Sequence, residues 1–199
     1  MTSCVCRRIR TPAVTCSVAV LGACAVWASA ARASLINLDP CNSAPLSQPF
    51  APWGDPSFYE LLPDGDFADT DWTLNGGAQL VAGGQPLPAA GVAGTSSLSM
   101  PAGSSAQSPA TCVDGAYPTI RFFIAGSGSV LVDIVDGSVT IPVGAATATG
   151  DWLPTPVMLS ASLLWGALSN GTAQVAVLVN AITGDPQVDD VFIDPWNRG

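Results

Sequence analysis

Thr119–Val143 reads TIRFFIAGSGSVLVDIVDGSVTIPV, and the spacing of its apolar residues decides the fold class. Ile120, Phe122 and Ile124 fall on one face of an extended chain, with Arg121 and Phe123 on the other. That is the two-residue repeat of a strand and not the 3.6-residue repeat of a helix. Val130–Val135 is apolar on both faces except at Asp133, the composition of a strand inside a sheet. Asp136-Gly137 separates this run from Ser138–Val143, and Asp-Gly between β-branched runs is a strong short-range hairpin signal. Gly126-Ser127-Gly128 has no helix pattern behind it, so it reads as a second hairpin turn and not as a phosphate-cradling loop.

The same short apolar runs, split by Gly, Pro, Asp and Ser, recur on both sides. Phe58–Leu62, Ala78–Ala82, Ser96–Met100, Val157–Leu164, Ala173–Asn180 and Val188–Asp194 join the three candidate strands above. Val175, Val177 and Val179 again share one face. Only Val157–Leu168, rich in Ala and Leu, competes as a helix, and we read it as strand. Eight or nine strands of this length imply an all-β sandwich or barrel over residues 58–199. Residues 34–57, rich in Pro, Ser and Asn without periodicity, are expected to form an irregular N-terminal arm.

The chain starts differently. Arg7, Arg8 and Arg10 precede an uncharged run from Thr11 to Ala31, followed by Ala28-Ser29-Ala30 and Ala31-Arg32-Ala33, both small-x-small sites. A basic start, an apolar core and small exit residues describe a secretory signal peptide over residues 1–33, cleaved after Ala33 or, second, after Ala30. The run of about 20 apolar residues also has the length of a membrane anchor. Leu21-Gly22-Ala23-Cys24 resembles a lipobox, although Ala25-Val26-Trp27-Ala28 continues the apolar run past the cysteine. Arg7-Arg8 also permits twin-arginine export. The expected location is secreted or extracellular, with a cell-surface lipoprotein as the alternative.

Cysteine and charge usage agree with that cut. Cys4, Cys6, Cys16 and Cys24 lie in the leader, which leaves Cys41 and Cys112 as a pair in the mature chain. An even pair in an exported protein is expected to form a disulfide, here closing a long loop for a stabilisation of about 4 kcal/mol, although two separate buried thiols are an alternative. All 15 acidic residues lie from Asp39 onward, and beyond the leader only Arg121 and Arg198 oppose them, a net charge of −13. Such a surface repels nucleic acid and anionic lipid. The near absence of Lys and Glu beside abundant Ala, Gly, Pro and Val suggests a GC-rich bacterial genome.

The chain contains neither histidine nor lysine. Ser-His-Asp catalysis, imidazole-ligated zinc and Schiff-base chemistry are therefore excluded. A paired-carboxylate glycosidase is the one enzyme class left, drawing on aspartates or on Glu60, the only glutamate. Most aspartates sit in turn contexts, where they cap backbone groups, so the chain is read as not an enzyme. Arg121 is expected to pair with a carboxylate such as Asp133 on a neighbouring strand, or else to hydrogen-bond a sugar. Aromatic candidates for a binding surface are Trp53, Phe58, Tyr59, Trp72, Tyr117, Trp152, Trp165 and Trp196. Tyr117 and Trp152 stand in loop contexts and Trp165 ends an apolar run, so these three are the expected ligand-binding residues. Trp72 and Trp196 are read as structural.

Two segments carry a family resemblance. One is Leu61-Leu62-Pro63-Asp64-Gly65-Asp66-Phe67-Ala68-Asp69-Thr70-Asp71-Trp72 with Gly76-Gly77-Ala78; the other is Val188-Asp189-Asp190-Val191-Phe192-Ile193-Asp194-Pro195-Trp196. Together they resemble the opening and closing strands of jelly-roll carbohydrate-binding modules of the galactose-binding-like kind, and the chain also resembles a group of small exported actinobacterial proteins. The resemblance implies a jelly-roll β-sandwich and a non-catalytic extracellular module that binds a cell-wall or polymeric glycan. It also implies a structural calcium ion between the terminal strands, for which Asp66, Asp69, Asp189 and Asp190 could supply oxygens. The family's glutamate position is Ala68 here, which removes one ligand. The other reading is a cell-envelope protein that binds another protein, or only lends structure, and has no glycan ligand.

Overall fold

A computed structural model describes residues 45–69, 71–86, 94–114, 119–159 and 172–194. They form an all-β antiparallel sandwich. Three long strands dominate it: β8 (Thr119–Asp136), β9 (Val139–Pro154) and β11 (Thr172–Asp194). Short strands complete it: β1 (Leu46–Ser47), β2 (Tyr59–Leu61), β3 (Thr73–Asn75), β4 (Gln79–Ala82), β5 (Ser96–Ser99), β6 (Ser105–Gln107), β7 (Thr111–Asp114) and β10 (Met158–Leu159). The eight or nine strands read from the sequence are eleven among the described residues: two pairs of expected strands fuse, into β8 and β11, while β1, β3, β6 and β7, too short to show a period, add four. Most of Val157–Leu164 lies outside the described residues.

Strand β11 is the hub. It begins against β7, continues between β8 and β6, passes between β8 and β5, and ends between β8 and β2. Strand β9 lies along the far side of β8, which places the apolar Val130–Val135 stretch between two neighbours as its composition requires. The Asp136-Gly137 turn joins β8 to β9, with Asp136 opposite Val139 and Gly137 at φ 57°.

Gly126-Ser127-Gly128 is not a hairpin. Strand β8 runs straight through it, with Ser127 opposite both Asp185 and Thr149. The glycines bend the strand without reversing it. Gly126, Gly128, Gly150 and Gly184 all take positive φ, and Gly128 and Gly184 are paired across the same level of the sheet. A Cβ at Gly128 would stand 1.9 Å from the Thr183 carbonyl oxygen, and one at Gly184 2.3 Å from that of Ser127. Adjacent backbones approach so closely here that only glycine fits.

The bend lets one continuous face wrap a single core. Ile120, Phe122, Ile124, Val130, Val132 and Ile134 all point inward from β8, an unbroken two-residue period. On β11 the inward set is Val175, Val177, Val179 and Ala181, then Val188, then Val191 and Ile193. Its parity changes twice because the ladder to β8 is irregular between Ala181 and Thr183 and again between Asp189 and Phe192. Each extra residue in a strand swaps the faces beyond it. Phe192 is thereby turned to the outer side while Val191 and Ile193 stay in the core.

The stretch read as an irregular arm contributes more than a tether. Within its described part, β1 pairs with β2, Ala51–Trp53 forms one turn of 3-10 helix, and Phe50 is fully buried. Cys112 lies on β7 opposite Gln174; Cys41 is outside the described residues.

Two glycine substitutions separate close approach from conformational freedom. Gly128→Ala is expected to destabilise the fold by about 3 kcal/mol or more, because strain and overlap coincide. Gly137→Ala meets open space and is expected to cost about 1 kcal/mol for its left-handed φ alone. Urea denaturation midpoints measure the difference.

Candidate functional site

The second irregularity in β11 builds the most polar part of the interior. Asp190 takes φ 48° there, a conformation that Asp tolerates better than most residues. The turn at Leu62–Phe67 docks on it: Leu62 N–H donates to the Val191 carbonyl at 3.0 Å, and Val191 N–H donates to that of Gly65 at 2.9 Å. A Cβ at Gly65 would meet the Val191 oxygen at 2.7 Å, which accounts for the glycine in Asp64-Gly65-Asp66. Asp64 takes φ 52° and its carboxylate accepts the Asp69 and Asp71 N–H groups, so it acts as a turn cap.

Asp189 and Asp190 are fully buried. Asp189 Oδ2 accepts the Gln85 N–H at 2.7 Å, and Oδ1 accepts the Asp190 N–H at 2.9 Å. Gly84 and Gly94 pack against Oδ2, where a Cβ would stand 2.6 and 2.8 Å away. Asp190 Oδ2 accepts the Gln85 side-chain N–H. Burial pushes Asp189 up to about 7, despite the Gln85 hydrogen bond and with help from the charges of Asp190 and Asp66. Burial likewise raises Asp190 to about 6, with Asp66 adding to it.

On the outer side of the sheet a second, aromatic cluster forms. Phe50, Tyr59, Phe123 and Phe192 are buried together, with Leu61 and Trp152 packed against them. Phe50 lies 5.4 Å from Phe123 in a stacked arrangement and meets Tyr59 and Phe192 edge-on. Arg121 anchors the cluster. Its Nη1 donates to Asp55 Oδ2 at 2.7 Å, its Nε to the Thr155 carbonyl at 2.9 Å, and its guanidinium stands 4.3 Å from the Phe50 ring centre. The internal pair expected for Arg121 exists, but with Asp55 and not with Asp133, which instead accepts from Asn180. Asp133 and Asn180 belong to the other end of the sheet, whereas the chain before β2 brings Asp55 directly over Arg121. Burial acts to raise Asp55, but the Tyr59 hydroxyl and the Arg121 guanidinium outweigh it and hold the carboxyl at about 2.

Two tryptophans rim this cluster. Trp53 is 37% exposed and meets the Phe123 ring edge-on at 5.4 Å. Trp152 is half-buried on β9, on the face of Pro154, which stands opposite Phe123. At the Leu61 and Phe192 side of the cluster a cavity of about 500 Å³ opens between β1, β2 and the end of β11. Leu46, Leu61 and Phe192 form its apolar wall, and Asp66, Asp190 and Thr95 are the acidic and polar residues of its lining. Leu61 and Phe192 belong to both the cavity wall and the aromatic cluster, so the two features are contiguous.

Of the expected ligand-binding residues, Trp152 lies on this face, while Tyr117 and Trp165 fall outside the described residues. Trp72 is core, as expected: it is buried against Phe67, and its Nε1 donates to the Pro63 carbonyl. Trp196 is not among the described residues. The four aspartates expected to hold calcium do not form one ligand set. Asp66 and Asp190 share the cavity, Asp69 is exposed and lies outside its lining, and each Asp189 oxygen already accepts a backbone N–H. Among the described residues no group of three acidic, cysteine or histidine side chains is gathered to hold a metal ion. Glu60 is buried against Thr111 and raised by that burial, and it does not line the cavity. Sequence reasoning kept Trp53 among the aromatic candidates but not among the three expected ligand-binding residues, and it passed over Leu61 and Phe192. The signal for Trp53 was its place in Phe50-Ala51-Pro52-Trp53-Gly54, where proline starts a turn and glycine at φ 82° ends it. Phe192 gave none, because its outward aim depends on the bulge.

No known family model matches the sequence, and no curated protein matches it. Solved structures with a similar chain path include the C-terminal family 6 carbohydrate-binding module of LamC, a marine laminarinase of Zobellia galactanivorans, at 11% identity and a TM-score of 0.47, covering 65% of this chain and 95% of that one. The xylan-binding family 22 module of Paenibacillus barcinonensis Xyn10C is 13% identical with a TM-score of 0.45, covering 68% of this chain and 98% of that one. A family 61 module solved with β-1,4-galactotriose is 16% identical with a TM-score of 0.43, covering 68% and 98%. At such identities the likeness concerns chain path alone.

The shifted carboxyls fix a pH profile for stability. Asp55, lowered to about 2, contributes fully above the ordinary value of 3.8 and loses that contribution as pH falls towards 2. Asp189 and Asp190 are raised, so the folded state binds their protons more tightly than the unfolded chain does. Their contribution is full below 3.8 and lost as pH rises through about 6 and about 7. In EDTA, Tm is expected to be highest near pH 4 to 5 and to fall towards pH 7.5. Asp190→Asn keeps the left-handed backbone and one acceptor, and is expected to flatten the upper limb in calorimetry.

Proposed function

We propose that the protein is a non-catalytic recognition module that works outside the cell and binds carbohydrate across the aromatic face and its adjoining cavity. The observation that carries this reading is the part-exposed Trp53 ring against Phe123, on an aromatic cluster that also packs Trp152 and shares Leu61 and Phe192 with a cavity of about 500 Å³. Sugars present flat C–H faces and hydroxyl edges, and a site combining aromatic faces with a few fixed polar groups suits both. Phe50 and Phe123 stack beneath the platform, and Arg121 ties the chain around Phe50 and Asp55 to β8, so the face is formed before any ligand arrives. Preformed platforms bind with less loss of side-chain entropy.

Export belongs to the same proposal. Cleavage after Ala33 and a Cys41–Cys112 disulfide would give a bridged chain starting at Ser34, whose intact mass checks both features at once. Among the described residues no helix is long and apolar enough to cross a membrane.

The test is depletion of the protein from solution by insoluble polysaccharides and purified cell walls. Selective retention on one neutral glycan is expected. Trp53→Ala should weaken it about fivefold, the ~1 kcal/mol typical of one aromatic contact, with only a small fall in Tm because the ring is partly exposed. Failure to be retained on any glycan overturns the reading.

A further inference from the structure

We propose, resting on the carbohydrate reading above, that the cavity beside β1 and β2 receives the primary ammonium of an amine-bearing sugar, a glucosamine-type residue. The cavity falls in the usual range for small-ligand sites, about 300–1,000 Å³. Its two sides differ in chemistry. Leu46, Leu61 and Phe192 offer an apolar wall for a ring face, while the acidic residues Asp66 and Asp190 and the polar Thr95 complete the lining, Asp190 with its carboxylate buried against Gln85.

Among the described residues no basic side chain pairs with Asp66 or Asp190. Arg121 is the only basic side chain among the described residues, and it is spent on Asp55, the Thr155 carbonyl and the Phe50 ring. Asp189, next to Asp190 in the chain, is not part of the lining, and both its oxygens are engaged by backbone N–H groups. The Gln85 amide gives Asp190 a neutral donor and no charge. A uronate or sulfated sugar would bring another negative group to this wall, and a plain hexose would leave the two carboxylates uncompensated. An ammonium supplies three donors and a positive charge, and hydrogen bonds between ionised partners are the stronger kind. The high negative charge of the whole chain, −9 with its leader, favours approach of the same ligand class and disfavours acidic polymers.

The experiment titrates the full chain by calorimetry in EDTA at about pH 6.5, where amino groups are protonated, with trimers of glucosamine, N-acetylglucosamine and glucose. Glucosamine trimer is expected to bind at least tenfold more tightly than the other two. Asp66→Asn and Asp190→Asn should each reduce that preference below threefold while leaving glucose-trimer affinity unchanged. Asp133→Asn, at the other end of the sheet, should leave the preference intact. Equal affinity for the three trimers overturns the amine assignment but leaves the carbohydrate reading standing; no binding of any trimer overturns both. A preference that survives Asp66→Asn and Asp190→Asn, or that Asp133→Asn erodes equally, overturns the cavity as its source. A rise in Tm with calcium alone that Asp190→Asn abolishes overturns it in favour of a metal site.

Discussion

The antiparallel ladder between Thr119–Asp136 and Thr172–Asp194 carries the rest of the molecule, and it holds only because the two backbones nearly touch where they bend. Gly128 and Gly184 face each other at that point with no room for a Cβ on either. A sheet that could not bend there would have to break into separate strands, each needing its own turn. By bending instead, β8 and β11 keep their hydrogen bonds continuous while their inward residues close on one core. The short strands β2, β5, β6 and β7 then find successive stretches of β11 to pair with.

The price of that economy appears at Asp189–Phe192. The ladder slips there, and the slip turns Phe192 outward and buries two neighbouring carboxylates. A buried charge without a cation is costly, and the fold meets the cost with backbone N–H groups and the Gln85 amide instead of an ion pair. The same slip supplies the cavity's polar side through Asp190 and its apolar side through Phe192. Core geometry and candidate site are two consequences of one irregularity.

On the outer face the logic is different. Arg121 sits among aromatic rings where water is scarce, so its pairing with Asp55 and its contact with Phe50 bind the chain before β2 to the sheet. This explains why a stretch with no periodicity of its own is nevertheless ordered around Phe50. Its two-residue strand and single helical turn are too short to be read from local pattern. They are held by the burial of one ring and one ion pair.

The sequence by itself determined the strand class, the alternating faces of β8, the Asp136-Gly137 turn, the core role of Trp72 and the acidic surface. Each of these follows from local period, turn chemistry or composition, which act over a few residues. Only the tertiary structure decided that Gly126-Ser127-Gly128 bends a strand and does not end it, since a glycine turn and a glycine bend look alike until a neighbouring backbone is in place. It also decided that Arg121 meets Asp55, 66 residues away, and that Asp69 stands apart while Asp66 and Asp190 share a cavity. Those outcomes depend on which distant segments the ladder brings together. A two-residue period encodes the faces of a strand, but not its neighbours.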